Sequence, residues 1–312
     1  MKTKLSILLT AGLLAACSSD NETQPEAPVR HIRVVVNERP MISNEAKVRG
    51  AETRAEITTT STLNGFTMYG IFNGSHKYTV TKNTDDNTWL IDPKGWIIDD
   101  DIKDNTVVPF YAYTTNGSCS EFNLEEGTGK PYINFAVPED AFEQHDLLVA
   151  QTSASYSGHG GEVGTVSLTF DHACAAVAFN VSMSEKVKTK LGNNKLTVKS
   201  IVLKNVNKSG KYYFDKGWKE VSGSSDYTLN HSDIEFTTTE QQPLIVVDNH
   251  PRDYLFMIPQ SHTAKDIPGT YLEINYEFTG QTQTSATIPL DINWEAGWEY
   301  TINILLGTSL IK

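Results

Sequence analysis

From Ala55 onward this chain is punctuated by short runs of alternating apolar and polar residues, separated by turn chemistry at spacings of roughly 8–12 residues. An alternating run shows one face to a core and the other to water, so each reads as a half-buried strand. Phe66 and Met68 share a face with Gly70 and Phe72, Asn73-Gly74 supplies a turn, and residues 78–81 run back. Trp89 and Trp96 bracket a turn at Asp92-Pro93-Lys94-Gly95. Residues 107–113 (VVPFYAY), 135–138, 146–150, 163–170 and 175–181 complete a first set of strands. Residues 182–194 (SMSEKVKTKLGNN) are polar, lysine-rich and without strand alternation, which puts a domain boundary near residue 187. The second set opens with residues 196–203, breaks at a Lys208-Ser209-Gly210 turn, and continues through 212–214, 234–237, 244–247, 254–258 and 271–278. It closes with residues 298–306, in which Trp298, Tyr300, Ile302, Ile304 and Leu306 share a face. No amphipathic helix longer than two turns is evident. The expected fold is all-β, with two β-sandwiches in tandem over residues 55–186 and 187–312.

The N-terminal residues obey different rules. Lys2 and Lys4 precede an apolar run over residues 5–14, and Leu14-Ala15-Ala16-Cys17 sets small residues before a cysteine. The run is too short to span a bilayer, and the layout is that of a cleavable signal over residues 1–16. A cysteine at the cleavage point looks like a bacterial lipoprotein signal, in which the Cys17 thiol is acylated and becomes the new N-terminus; the alternative is an ordinary secretory peptide with an incidental cysteine. Residues 17–29 carry no apolar side chain larger than valine or proline and read as a flexible tether. The acidic patch after Cys17 resembles the surface-export signal of some Gram-negative lipoproteins, which implies an outer-membrane anchor and display on the outer face.

His31-Ile32-Arg33-Val34-Val35-Val36 is the first strand, rich in β-branched residues, and residues 37–54 lack periodicity and read as a loop. The chain has six arginines: Arg30, Arg33, Arg39, Arg49 and Arg54 lie within residues 30–54, and Arg252 alone comes later. Such a distribution is what an arginine-specific processing protease tolerates best, with drift in a lysine-favouring composition as the alternative. Arg49-Gly50 and Arg54-Ala55 sit in the loop, where proteolysis concentrates.

A net charge of −12, which loss of Lys2 and Lys4 makes more negative, argues against nucleic acid as a partner. With Cys17 given to lipid, Cys119 and Cys174 remain, and burial preferences favour two free thiols over a disulfide. Nucleophile elbows, zinc-protease helices, phosphate loops and dinucleotide fingerprints are missing from the sequence. His159-Gly160-Gly161 reads as a glycine-rich hairpin, and His172 as a core or turn histidine with a satisfied hydrogen bond. Asp85-Asp86 and Asp99-Asp100-Asp101 with Asp104 read as solvated turns, with a weak calcium site as the alternative. Nothing groups a nucleophile, base and orienter, so no enzymatic activity and no cofactor is expected. Trp89, Trp96, Trp218, Trp294 and Trp298 are each placed for a sandwich core, with a glycan-stacking platform as the competing role.

The chain resembles the fimbrillin family, the subunits and accessory proteins of type V pili. The residues that carry the resemblance are Leu14 to Cys17, Thr53-Arg54-Ala55, Pro109 to Tyr113, Asp146 to Ala150, Leu168 to Ala173, Leu255 to Gln260 and Ala296 to Tyr300, in that order along the chain. The resemblance implies two transthyretin-like Greek-key β-sandwiches, export as a lipoprotein, and cutting by an arginine-specific protease at Arg54-Ala55, with Arg49-Gly50 as second choice. It further implies that cutting frees residues 30–54 with the strand His31 to Val36, which otherwise pairs into the first sandwich. A strand from the next subunit would then fill the groove. The partners implied are other pilin subunits, the outer membrane and a host or bacterial surface receptor. The alternative function is that of a non-polymerising surface lipoprotein that binds glycans.

Overall fold

A computed structural model describes residues 32–43, 62–96, 103, 105–114, 119–156, 164–229, 234–236, 254–263 and 269–307. In chain order the strands are β1 (Ile32–Glu38), β2 (Ile42–Ser43), β3 (Gly65–Ile71), β4 (Ser75–Lys82), β5 (Trp89–Asp92), β6 (Val107–Tyr113), β7 (Cys119–Leu124), β8 (Pro131–Ala136), β9 (Leu148–Ser155) and β10 (Gly164–His172). Next come β11 (Ala175–Met183), the helix α1 (Glu185–Leu191), β12 (Leu196–Tyr213), β13 (Gly217–Leu229), β14 (Ile234–Phe236) and β15 (Leu255–Met257). The last are β16 (Gln260–His262), β17 (Tyr271–Phe278), β18 (Thr284–Pro289), β19 (Ile292–Trp294) and β20 (Trp298–Leu306). The described residues are thus all-β apart from α1 and a single 3-10 turn at Ala141–Glu143. None of their helices is long and apolar enough to cross a membrane.

Seven strands form the first sheet, in the order β1-β10-β9-β6-β3-β4-β5. Every neighbouring pair is antiparallel except β1 on β10, which is parallel. The alternation in β10 explains its placement: Val166, Leu168 and Phe170 are buried while Thr165, Ser167 and Thr169 face water. The sheet curls until its edges meet, with the Ile32 N–H donating to the Lys94 carbonyl at 3.1 Å. Its strands therefore enclose one core, in which Phe66, Met68, Tyr78, Val80, Trp96, Phe110 and Tyr156 pack with Ile32 and Val34.

The second half is built from two further sheets. One has the order β15-β11-β20-β2, with β11 and β20 parallel from Ala176 opposite Glu299 to Met183 opposite Leu306. The other runs β18-β17-β12-β8-β7, with β13 and β14 also bonded to β12. Between them lies a second core of Val177, Phe179, Leu203, Phe256, Ile274 and Ile304 among others. Aromatic rings join it to the outer face of the first sheet, Tyr69 stacking on Phe122 at 4.3 Å and Tyr111 meeting Phe214 edge-on at 5.1 Å.

The pairing corrects the expected turn at Lys208-Ser209-Gly210, and it puts the exchange of strands between sheets at a different place from the expected domain boundary. The switch of sheets falls at Ala173-Cys174, between β10 and β11, not near residue 187: β11 bonds to β15 and β20, and β8 bonds to β12. The apolar run of β11 marks a strand covered on both faces, which says nothing about whose neighbour it is. The turn expected at Lys208-Ser209-Gly210 is part of the 18-residue strand β12. Partners on both edges hold the chain extended there, and its turn-prone residues are absorbed as irregularities at Leu203/Val206 and Ser209/Lys211. The polar segment at 182–194 contains α1, whose first turn is capped by the Ser184 hydroxyl accepting from Val187 N–H, and which buries Val187 and Leu191 one turn apart. The strand expected at 244–247 lies outside the described residues.

Candidate functional site

The segment of greatest interest is β1 together with its continuation into β2. Residues 32–36 (IRVVV) are β-branched at four of five positions, which suits an extended chain on a pleated surface. Ile32 and Val34 point into the first core, Val36 packs against its margin, and Arg33 is exposed. Register runs without irregularity from Ile32 opposite Gly164 to Glu38 opposite Phe170. Beyond β1 the Arg39 N–H donates to the Phe170 carbonyl at 2.9 Å, and its guanidinium pairs with Asp171 at 2.9 Å. That ion pair is largely solvated and adds little.

The chain then leaves the first sheet. Ile42 N–H donates to the Gly297 carbonyl at 2.8 Å, and β2 lies parallel to β20, Ile42 opposite Trp298 and Ser43 opposite Glu299. Residues 32–43 therefore form one strap across an edge of each half. Among the described residues, no strand covers the outer edge of β20 beyond Glu299. At that end Leu305 stands 65% exposed beside a groove of about 630 Å³, lined by Ile274, Tyr276, Phe278 and Ile288.

Beneath the crossover sits a buried acid–base pair. His172 ends β10, and its Nδ1 lies 2.5 Å from Asp146 Oδ2, the two side chains being 1% and 0% exposed. Asp146 is held by its backbone: Thr114 Oγ1 donates to its carbonyl, Leu148 N–H donates to that same hydroxyl, and Ala173 N–H bonds the Leu147 carbonyl. Neither His172 Nε2 nor Asp146 Oδ1 has a hydrogen-bond partner. Burial pulls the imidazole pKa down, but the Asp146 bond and charge, the Glu38 charge and the Arg39 backbone outweigh it and hold it above its usual value. The histidine is thus a core residue with one satisfied nitrogen. The pair is sealed from solvent, which leaves no approach for a substrate.

The other sequence candidates are scattered. Cys174 is a buried thiol outside any disulfide, and of the Cys119 side chain nothing is described. Asp86 accepts from the amide and hydroxyl of Thr88 in a turn, and no group of acidic, histidine or cysteine side chains among the described residues is arranged to hold a metal. His159, Asp99 to Asp101 and Asp104 lie outside the described residues. Trp96 meets Phe110 and Tyr156 edge-on inside the first core, and Trp294 is buried in the second. The Trp218 indole N–H donates to the Ala173 carbonyl at 2.6 Å, and Trp89 leans on Phe66. Among the described residues no two tryptophans stack into a platform. Cys17, His31, Arg49, Gly50, Arg54 and Ala55 lie outside the described residues, so the lipidation and processing positions rest on sequence. Sequence reasoning found β1 but missed both β2 and the Asp146–His172 contact; the motif residues Asp146 to Ala150 and Leu168 to Ala173 carry no sign in the sequence that they touch.

A family profile described as fimbrillin-like matches residues 48–312, beginning after β1 and β2. No curated protein matches the chain. Among solved structures, a candidate cell adhesion protein from Bacteroides uniformis is similar at 11% identity and a TM-score of 0.49, over 92% of this chain and 95% of that one. A candidate cell adhesion protein from Bacteroides ovatus is 13% identical with a TM-score of 0.48, over 89% and 92%. A fimbrial protein from Bacteroides ovatus is 12% identical with a TM-score of 0.35, over 88% of this chain and 49% of that one.

Proposed function

The chain belongs to the fimbrillin-like family, and from that premise we propose that it is a structural or accessory subunit of a surface pilus that supports adhesion, assembled by donor-strand addition. It is exported as a lipoprotein, acylated at Cys17, and held at the outer face of the outer membrane by the tether over residues 17–29. An arginine-specific protease then cuts at Arg54-Ala55, or at Arg49-Gly50, and releases the strap. The two cores, one drawn from residues 32–170 and the other from 113–306, are the places where the family's two transthyretin-like sandwiches would lie.

The observation that carries the reading is β1 itself: an edge strand, the one parallel addition to an otherwise antiparallel sheet, lying N-terminal to both arginine sites. Removing it would leave the edge of β10 with unpaired N–H and C=O groups and would uncover Val166, Leu168 and Phe170. A buried polar group left unpaired costs about 1–3 kcal/mol, so a strand that satisfies several at once binds tightly. The slot favours an incoming strand with apolar side chains at alternate positions, in place of Ile32, Val34 and Val36.

Limited digestion of the purified full chain with an arginine-specific protease tests this. A ladder of detergent-resistant oligomers should appear only after cleavage and should be lost in a variant combining Arg49→Lys with Arg54→Lys. A monomer that stays clean after the strap has gone would overturn the proposal.

A further inference from the structure

Strands without a charged residue lie, with one exception, inside the sheets of this molecule. Among the described strands longer than three residues, β3, β6, β8, β9, β11 and β18 lack Asp, Glu, Lys and Arg. The first five are hydrogen-bonded along both edges. The exception is β18, which ends its sheet with β17 on one side and, among the described residues, no strand on the other. The remaining edge strands of that length, β1, β5, β7 and β13, each carry at least one charged residue. Charge on an edge discourages pairing with strands of other chains, so β18 lacks the usual guard. A bulge does not guard it either: its register on β17 runs evenly from Tyr271 opposite Pro289 to Tyr276 opposite Thr284. Pro289, which has no N–H to give, closes only the end of the strand and leaves residues 284–288 open.

The pattern of the strand says what fits beside it. Ala286 and Ile288 are half-buried along the groove near Leu305, while Ser285 and Thr287 are exposed. An incoming strand must carry small or apolar side chains over the groove at alternate positions, hydroxyls outside, and no charge. β18 has that pattern itself. Paired antiparallel about a two-fold axis at Ala286, residues 284–288 meet 288–284, so that Ser285 and Thr287 stand opposite one another twice and Pro289 stays outside the pairing. Chains of net charge −12 repel one another, and an uncharged edge is where two copies approach at least cost.

We propose that β18 is a self-pairing edge, through which two copies of the chain join into one continuous sheet with Leu305 of each copy beside the join. The contact is isologous and closes on two copies, whereas strand addition at β1 runs head to tail. It therefore ties subunits side by side rather than lengthening a fibre. It uses neither the strap nor the arginine sites, and it does not rest on the polymerisation reading.

The test uses the uncleaved full chain carrying Cys17→Ser. Sedimentation equilibrium between about 1 and 300 µM covers the weak range expected of so small a contact, and should show monomers passing to dimers. Amides of β18 should gain exchange protection with concentration while those of β12 stay level. Ser285→Lys combined with Thr287→Lys sets lysine opposite lysine at two places and should weaken the dimer by about tenfold or more. Should that variant fail to fold, seen as loss of protection in β12, oxidation of Ala286→Cys decides. It should give a disulfide-linked dimer above the background of the parent chain, which keeps Cys119 and Cys174, whereas Thr284→Cys, opposite Ile288, should not. A chain that stays monomeric throughout, a dimer that survives the folded lysine variant, or linkage at Thr284→Cys equal to that at Ala286→Cys would overturn the proposal. Strand addition at β1 would stand in each of those cases.

Discussion

At Gly164, where β10 begins opposite Ile32, a side chain has nowhere to go: an ideal Cβ would lie 2.7 Å from the Trp96 ring. Trp96 is wedged between Phe110 and Tyr156 and cannot retreat cheaply. Gly164→Ala should therefore cost about 1–3 kcal/mol in urea unfolding, whereas Thr165→Ala, one residue along on the wet face, should stay within about 0.5 kcal/mol. His172 makes a second prediction at this scale. Its folded-state pKa lies above the ordinary 6.5, so its contribution to stability is complete below about pH 6.5 and is lost as pH rises through the higher folded value. The urea midpoint should drop across that window in the parent chain and not in His172→Gln. That His172 is a bonded core histidine was legible from its place at the end of a strand, and this holds for Nδ1. Its partner, 26 residues away, could not be read, because no local pattern links a loop aspartate to a strand end.

Among the elements, the strap is the one whose loss the rest should survive. Val34 faces the core from an edge strand, so Val34→Asp can avoid burying a charge by letting β1 leave. Amides of β1 should lose their exchange protection while those of β3, β6 and β17 keep theirs; protection retained in β1 would mean that it is not separable. By contrast, Ser184→Ala removes the hydroxyl that caps α1 and should cost about 1 kcal/mol of overall stability. Legibility differed from element to element for physical reasons. β10 and β17 alternate cleanly because one face of each is wet, and β1 declares itself through β-branching. β12 did not, because bulges let a strand run through residues that elsewhere would turn it. α1 hid in a polar stretch because only Val187 and Leu191 are buried. Residues Ile42 and Ser43 are too few to carry a period, so β2 and the strap's second anchor needed the structure.

Across the whole molecule, charge is distributed in a way that fits removal of the strap. Among the described residues arginine occurs only at Arg33 and Arg39, both in residues 32–43. Away from the strap the solvated ion pairs there use lysine, as in Lys130–Asp215, Lys195–Glu235, Lys199–Glu277, Lys204–Asp226, Lys208–Glu139 and Lys211–Glu220. Solvated pairs contribute little whichever cation they use, so a body built on lysine costs almost nothing in stability and gains resistance to an arginine-specific protease. That the body is all-β was legible from strand spacing; that its sheets exchange strands at Ala173-Cys174 was not, since partner choice is set by packing across the whole chain. The central claim is that β1 occupies a place another chain is meant to take, and a reversible lock on that place tests it most directly. Val35 and Ser167 stand opposite one another, so Val35→Cys with Ser167→Cys can tie β1 to β10 by a disulfide. After arginine-specific cleavage the oxidised protein should remain monomeric and should form detergent-resistant oligomers once reduced. Oligomers of equal length and yield from the oxidised, cleaved protein would contradict the account.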